Sequence, residues 1–353
     1  VDVVRLYVET TKHVGIEYHY DWIVCKRIIN NMNILVTGGL GLIGHNVVKR
    51  LQDQGHIVSI IDTKTNYGII PQEEIDYLMY HRLKKIDEYT CKVYTKDISD
   101  RSYIDTIFSI EEPEIVIHMA SFPRQKVVNA NPALGSRTMS EGLLNLLEAS
   151  DKYEVRKFIY ISSSMVYGDF TDDVTEDAIC KPQGQYGIMK LAGEWLVRDY
   201  TRRTNIVHTI IRPSAVYGPL DVEDRVISKF LLTAMRNETI KVNGATETLD
   251  FTYVDDAADG IVAAATSDNT ENKTYNITKS HSVTLLEAAE MAVKLAGSGT
   301  IEVRDKDPDF PSRGALNIDM ARQDFQFDPK VDVAEGFKIY YDWLKDSSYF
   351  NRA

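Results

Sequence analysis

Residues Thr37-Gly38-Gly39-Leu40-Gly41-Leu42-Ile43-Gly44 place Gly38, Gly41 and Gly44 at a GxxGxxG spacing. The apolar run before them, residues 32–37 (MNILVT), reads as a buried strand. Residues 42–54 read as a helix that stops at Gly55. Few folds accept a strand that turns through glycines straight into a helix. Gly38 permits the tight turn, Gly41 lets backbone N–H groups approach a pyrophosphate, and Gly44 lets the helix pack closely on the strand. Leu42 and Ile43 open that helix, whose N-terminus offers partial positive charge to phosphate oxygens. The next strand, 56–61 (HIVSII), ends at Asp62, 18 residues after Gly44. An acid at that place binds the adenine ribose hydroxyls of a dinucleotide. Its charge repels a 2′-phosphate, so NAD is expected over NADP, with Lys64 nearby acting in the opposite sense.

Further strands are expected at 92–94, 114–118, 157–162 and 206–212, with helical patterns between most of them. This alternation predicts an α/β fold: a Rossmann-type, doubly wound parallel sheet with helices on both faces. Regularity fades after about Arg225, which predicts a smaller mixed α/β C-terminal substrate lobe. The expected division is 32–215, with parts of 245–280, for the nucleotide-binding domain, and a discontinuous 216–345 for the substrate lobe. Residues 1–31 do not fit the scheme. They read as an appendage, or alternatively as a capping helix or oligomer contact.

Composition narrows the function. Lys and Arg total 40 against 52 Asp and Glu, a net charge of −12. Residues 1–31 hold four acids and four bases, so the whole excess lies beyond them. Such a chain is a poor general nucleic-acid binder. Cys25, Cys91 and Cys180 are odd in number and widely spaced, which argues against a disulfide scaffold or a metal site. No apolar run approaches the roughly 18 residues of a membrane span. The N-terminal stretch lacks the order of a signal peptide. A soluble protein of a reducing compartment, the cytoplasm, is expected.

Tyr186 and Lys190 form a YxxxK, which puts both side chains on one helix face. A free tyrosine, with a pKa of about 10, is a poor base near neutrality. A neighbouring ammonium and a cationic nicotinamide favour the phenolate. Lowering the pKa by about three units corresponds to about 4 kcal/mol. Ser162, Ser163 and Ser164 follow the apolar strand KFIYI, at the end where open α/β sheets bind ligands. They read either as hydroxyls for a reacting alcohol or as loop caps.

Together these pieces resemble the extended short-chain dehydrogenase/reductase family, in its NAD-dependent sugar-nucleotide epimerase/dehydratase group, and look UDP-glucose 4-epimerase-like. The resemblance covers about 32–344. It rests on TGGLGLIG, Asp97-Ile98, His118-Met119-Ala120-Ser121, the segment Pro182 to Glu194, Arg212-Pro213 through Pro219, Phe251 to Asp256, and Pro311-Ser312-Arg313-Gly314. It implies a triad of Ser163, Tyr186 and Lys190. It also implies NAD contacts from Gly38, Gly41, Leu42, Ile43, Gly44, Asp62, Asp97, Ile98, Ala120, Ser121, Tyr186, Lys190 and Pro213. Ser163, Ser164, Arg225 and Arg313 are the implied substrate contacts, with Arg124 and Lys126 as candidate replacements for lost cations. Arg212 is open to a functional or a structural reading.

Five positions depart from patterns common in the family. The 4,6-dehydratases carry Asp-Glu directly after the catalytic Ser/Thr; here Ser164 and Met165 stand there, which disfavours water elimination. Met139 and Ala215 stand where Asn is common, and Leu249 where Arg is common. Loss of a guanidinium removes a bidentate phosphate contact. The resemblance then implies oxidation and re-reduction at one sugar carbon, most simply C4, with NAD retained between turnovers. A one-way keto-sugar-nucleotide reductase and a non-catalytic NAD-binding scaffold are the alternatives. The implied partners are a nucleotide-sugar and a second copy of the chain. The family commonly dimerises through two helices, here expected at 132–149 and 186–201.

Overall fold

The computed structural model describes residues 31–351, apart from 67, 69, 87–90, 123 and 309. Residues 1–30, nearly all of the expected appendage, lie outside the described residues. The strands are β1 (Asn33–Thr37), β2 (Ile57–Ile61), β3 (Cys91–Tyr94), β4 (Ile115–His118), β5 (Lys157–Ile161), β6 (Val207–Pro213), β7 (Thr239–Asn243), β8 (Thr248–Asp250), β9 (Lys273–Ile277), β10 (Ser282–Thr284) and β11 (Thr300–Arg304). Seven of them form one sheet in the order β3-β2-β1-β4-β5-β6-β9, and every pairing in it is parallel. β4 and β5 are buried at every position, so their sequences are apolar runs rather than alternations.

The strand order reverses beside β1, between β1 and β4. In open α/β sheets ligands bind at that switch point, beyond the carboxyl ends of the strands. Register brings those ends level: Thr37 lies opposite both Ile61 and His118, and Ile161 opposite Ile211. The glycine loop, Asp62, Ala120-Ser121 and Ser162 to Ser164 therefore all emerge along one edge.

One face of the sheet is covered by the helices Leu42–Asp53 and Val254–Thr266, with Val47, Leu51, Ile261 and Ala265 in its core. The other face carries Arg101–Glu111, Gly142–Lys152 and Gly184–Arg203, with Phe108, Leu146 and Val197 buried. A separate core holds the second lobe. There β8 pairs antiparallel with β10, β7 pairs parallel with β11, and the helices Val226–Met235, Leu285–Ala296 and Val333–Asp346 pack together. Leu285–Ala296 shows how sequence sets such an element. Thr284 and Glu287 close a capping box at its start, and Gly297 ends it at φ +66.

The lobes interleave more than the sequence suggests. Val254–Thr266 and β9 belong to the nucleotide half, within the 245–280 stretch expected to return there. Ile318, Ala321 and Phe327, around the helix Asp319–Phe325, also pack on the nucleotide core, although they fall inside the expected 216–345 lobe. The helix Gln72–Lys85 enters both cores: Leu78 joins the lobe cluster, Met79 and Leu83 the sheet cluster. The single helix expected at 132–149 is three pieces, with a π-helical turn at Arg137–Glu141 between Pro132–Ser136 and Gly142–Lys152.

Behind the sheet edge lies a buried ion pair. Arg212 binds Glu194 in a fork, Nε to Oε1 at 2.9 Å and Nη2 to Oε2 at 2.7 Å. Its Nη1 donates to the Tyr167 hydroxyl and to the Glu176 carbonyl. The four hydrogen bonds it makes here all go to the scaffold, which favours the structural reading. Glu194 also meets Arg198, whose Nη1 lies 3.3 Å from Oε2; losing Arg212 would leave the buried carboxylate with that single cationic partner, at a cost toward the lower end of about 3–5 kcal/mol. Arg212→Met should lose about that much stability in urea unfolding, since Glu194 is 0% exposed.

Candidate active site

The turn after β1 is built around close approaches. Gly38 has φ +70, and a Cβ there would lie 2.7 Å from the Ala120 nitrogen. A Cβ on Gly44 would lie 2.2 Å from the Gly38 carbonyl oxygen. Only glycine permits this approach of helix to loop. Gly41, the N-cap of Leu42–Asp53, supplies no side-chain cap. The amide groups of that first turn, including those of Leu42 and Ile43, therefore face outward with their dipole uncapped, as a phosphate requires.

Asp62 leaves β2 beside this loop. Its Oδ2 accepts from the Leu40 N–H at 3.0 Å and its Oδ1 from the Lys64 N–H at 2.8 Å. Burial pushes its carboxyl upward, and the two amides, Arg82 and Lys64 oppose that shift. Asp97 accepts from the Ser99 N–H, and Ile98 is buried against Gly142. The Ala120 N–H donates to Thr37 Oγ1, which shares a 2.7 Å hydrogen bond with His118 Nδ1. Burial, with Lys190 nearby, takes His118 down to about 3, so this imidazole is neutral and structural. Ser121 follows, its hydroxyl donating to the Phe122 carbonyl. These residues fit a dinucleotide: a cradle that a Cβ would fill, an uncapped helix start, and a carboxylate where a ribose diol needs an acceptor.

The serines divide into three roles. Ser162 donates to Glu194 Oε1 at 2.6 Å. Ser163 accepts from the Met165 N–H at 3.2 Å, capping a short 3₁₀ turn, and also hydrogen-bonds the Tyr186 phenol. The loop-cap reading therefore describes this serine, and its hydroxyl also meets Tyr186. Ser164, an expected substrate contact, is buried and donates to the Ser214 hydroxyl at 3.1 Å, next to Pro213 at the end of β6.

Tyr186 and Lys190 project from Gly184–Arg203 as their spacing requires. The Lys190 ammonium donates to the Ile161 carbonyl at 2.7 Å and lies 5.9 Å from the Tyr186 ring centre. Burial lowers it to about 7, with Glu194 pulling it back up. Burial also raises Tyr186. The cations that oppose that rise are Arg225 first and Arg313 after the Ser163 hydrogen bond. Beyond Lys190, two arginines act on the phenol in this structure, which the sequence did not anticipate.

Those arginines face the same space. Arg313 is driven down to about 10 by burial and by repulsion from Arg225, against the pull of Glu247. Its Nε is buried without a hydrogen-bond partner among the described residues. Two guanidinium groups that repel each other beside an unfilled donor form an anion site. Arg124 is also repelled by Arg225, but Asp224 engages it through Oδ2 at 2.9 Å and the backbone carbonyl at 2.6 Å. Lys126, 3.7 Å from the same carboxylate, is exposed.

The departures from the family pattern sit close by. Met139, on the π-helical turn, is buried with Phe122, Val127 and Val128, and Tyr186 and Met189 pack on that cluster. Leu249 is part of the lobe core. Ala215 holds φ +35, a left-handed conformation that Asn tolerates better than Ala. Met165 is buried, and its carbonyl would lie 2.6 Å from a Cβ on Gly187, which accounts for the glycine after Tyr186. Sequence reasoning missed Arg82, Phe122 and Met189. Only the four-residue spacing of Glu74, Leu78 and Arg82 could have singled out the first, and nothing marked the other two.

Comparison with known proteins agrees with this geometry. The profile of the NAD dependent epimerase/dehydratase family matches residues 34–278. Protein CapI of Staphylococcus aureus is 30% identical over 333 residues, covering 88% of this chain and 98% of that protein. The UDP-glucuronic acid 4-epimerase of Bacillus cereus, solved with UDP-glucuronic acid and NAD, superposes with a TM-score of 0.81 at 27% identity, covering 88% of this chain and 98% of its own. The UDP-glucose 4-epimerase of Thermotoga maritima, solved with UDP-glucose, gives 0.78 at 27% identity, with 89% and 99% covered.

The cradle can be tested directly. Gly44→Ala should weaken NAD binding by about tenfold or more in titration calorimetry, because overpacking of about 1–3 kcal/mol falls on the phosphate loop itself. Unchanged affinity would show that the loop does not hold the cofactor.

Proposed function

The chain belongs to the NAD-dependent epimerase/dehydratase family, and from that premise we propose that it inverts C4 of a nucleotide-bound hexose through a transient keto-sugar. One observation carries this reading. Ser163 and Tyr186 are hydrogen-bonded to each other within the field of the Arg225 and Arg313 guanidinium groups, and the positions after Ser163 carry no carboxylate. The absence of an acid–base pair there favours redox at one carbon over dehydration.

Bound NAD⁺ would be held by the glycine loop, Asp62 and Lys190, and it supplies a reversible hydride acceptor beside the sugar. The remaining work falls to side chains of the protein. The Tyr186 phenolate takes the proton of the 4-hydroxyl and later returns it to the opposite epimer. The Ser163 hydroxyl orients the reacting oxygen in both directions. Lys190, anchored on the Ile161 carbonyl, places positive charge behind the phenol. Arg225 and Arg313 hold the diphosphate, so the nucleotide stays fixed while the keto-sugar turns. The same triad would serve a keto-sugar reductase, and stoichiometric NADH consumption would identify one.

No helix among the described residues is long and apolar enough to cross a membrane. Cytoplasmic residence is part of the proposal. So is a homodimer through Gly184–Arg203 and the helices around 132–152. Trp195 and Ile188 lie seven residues apart on the first of these and are 64% and 53% exposed, with Leu134 on the second at 46%.

Purified protein supplied with UDP-hexoses should interconvert C4 epimers without added cofactor, as followed by NMR. Tyr186→Phe should cut kcat by at least about 10²-fold, the scale of general acid–base catalysis, while keeping NAD. Full activity in that variant would refute the mechanism. Trp195→Glu should shift the protein from dimer to monomer in sedimentation velocity. An unchanged dimer would place the interface elsewhere.

A further inference from the structure

Glu74, Leu78 and Arg82 recur at four-residue spacing and so form one stripe along Gln72–Lys85. Each meets the segment 220–223 of the second lobe. Glu74 accepts from the Glu223 N–H at 2.7 Å, and Leu78 shares an apolar cluster with Leu220. Arg82 Nη2 donates to the Leu220 carbonyl at 2.7 Å. Its Nη1 reaches the other way, to the carbonyl of Leu40 in the glycine loop, at 2.9 Å. The Leu40 N–H is bound to Asp62, so the residue is tied on both sides. Arg82 is 4% exposed, and its Nε has no hydrogen-bond partner among the described residues. The buried guanidinium faces the carboxylates of Asp221, Asp62 and Glu74 as well as the two carbonyls, so charge balance accounts for a cation here but not for its shape. What the guanidinium adds is its fork: two rigidly related donors that fix two backbone carbonyls with respect to each other. The segment it grips runs directly into Asp221 and Arg225, whose Nε lies 3.9 Å from Asp221 Oδ1.

We propose that Arg82 is a positioning residue that couples occupancy of the glycine loop to the placement of Arg225 at the substrate site. The inference deepens the epimerase reading and rests on it for the role of Arg225; the link between loop and segment stands apart from it. A dinucleotide diphosphate on the loop fixes the Leu40 peptide. Through Arg82, that restraint passes to Leu220 and so to the arginine that meets the substrate anion. By linkage, an anion bound at Arg225 tightens the loop on its cofactor by the same factor.

Hydrogen exchange of amides 220–226, with and without NAD, tests the link without any substrate. In the unaltered protein NAD should slow these amides by at least about fivefold, the lower end of typical site coupling, and in Arg82→Met by less than about twofold. An equal NAD effect in both overturns the proposal. So does faster exchange in Arg82→Met of the same size with and without NAD, which marks a mere brace. If Arg82→Met does not fold, Arg82→Lys decides: its single ammonium cannot grip both carbonyls, and an NAD effect of unaltered size there overturns the proposal. Calorimetry with UDP as the probe adds the substrate side. NAD should tighten UDP at least about fivefold in the unaltered protein and not in the variant. Failure of UDP to bind the unaltered protein refutes the nucleotide-sugar reading, and the exchange result still decides the coupling.

Discussion

The buried Arg212–Glu194 pair is the constraint on which the rest of the site depends. Glu194 lies one turn beyond Lys190, and the same carboxylate accepts from Ser162, next to Ser163. Arg212 belongs to β6. One ion pair therefore locks the Tyr186 helix, the end of β5 and the end of β6 to one another. The Ser163 hydroxyl, Tyr186 phenol and Lys190 ammonium come from two different elements, and in the proposed chemistry an error of about 1 Å between them costs about 10²-fold in rate. A fork of two short hydrogen bonds in a dry interior suits that demand, because it fixes both distance and angle.

Most of the nucleotide half was legible in the sequence because its requirements are local. A glycine that must have φ +70, a helix without a capping side chain and an acid at a strand end each leave a mark within a few residues. The YxxxK pair is equally local, since helical spacing alone brings Tyr186 and Lys190 onto one face. The strand ends fell within a residue or two, because fully buried parallel strands are short apolar runs. What the sequence concealed is long-range. The agents acting on Tyr186 come from 39 and 127 residues away in Arg225 and Arg313, and no periodicity announces such a meeting. Arg212 could not be assigned until Glu194 was seen across from it. The π-helical turn at Arg137–Glu141 was hidden for another reason: one extra residue in a helix changes no hydrophobic pattern enough to read.

An acidic chain of a family that binds NAD, and proposed to bind a nucleotide-sugar as well, needs its positive potential gathered in one place. Among the described residues Arg225 and Arg313 repel each other in one place, although Asp221 lies 3.9 Å from the Arg225 Nε and Glu247 acts on Arg313. Arg124 shows the alternative fate. A residue of the right type at the right depth is claimed by Asp224, and its field at the site is weakened accordingly. Charge type is thus a poor guide to function until the counter-charge is known.

The helix Gln72–Lys85 contributes side chains to both hydrophobic cores, with Leu78 on one side and Met79 and Leu83 on the other. Ile318, Ala321 and Phe327 cross in the opposite direction, from late in the chain to the nucleotide core. Neither lobe can melt without stripping apolar surface from the other. The two lobes thus form a single cooperative unit in unfolding, in which local opening is confined to peripheral segments. For a fold assembled from a nucleotide domain and a substrate lobe, this means that neither part is a detachable module. A cut between them yields two incomplete cores rather than two smaller proteins.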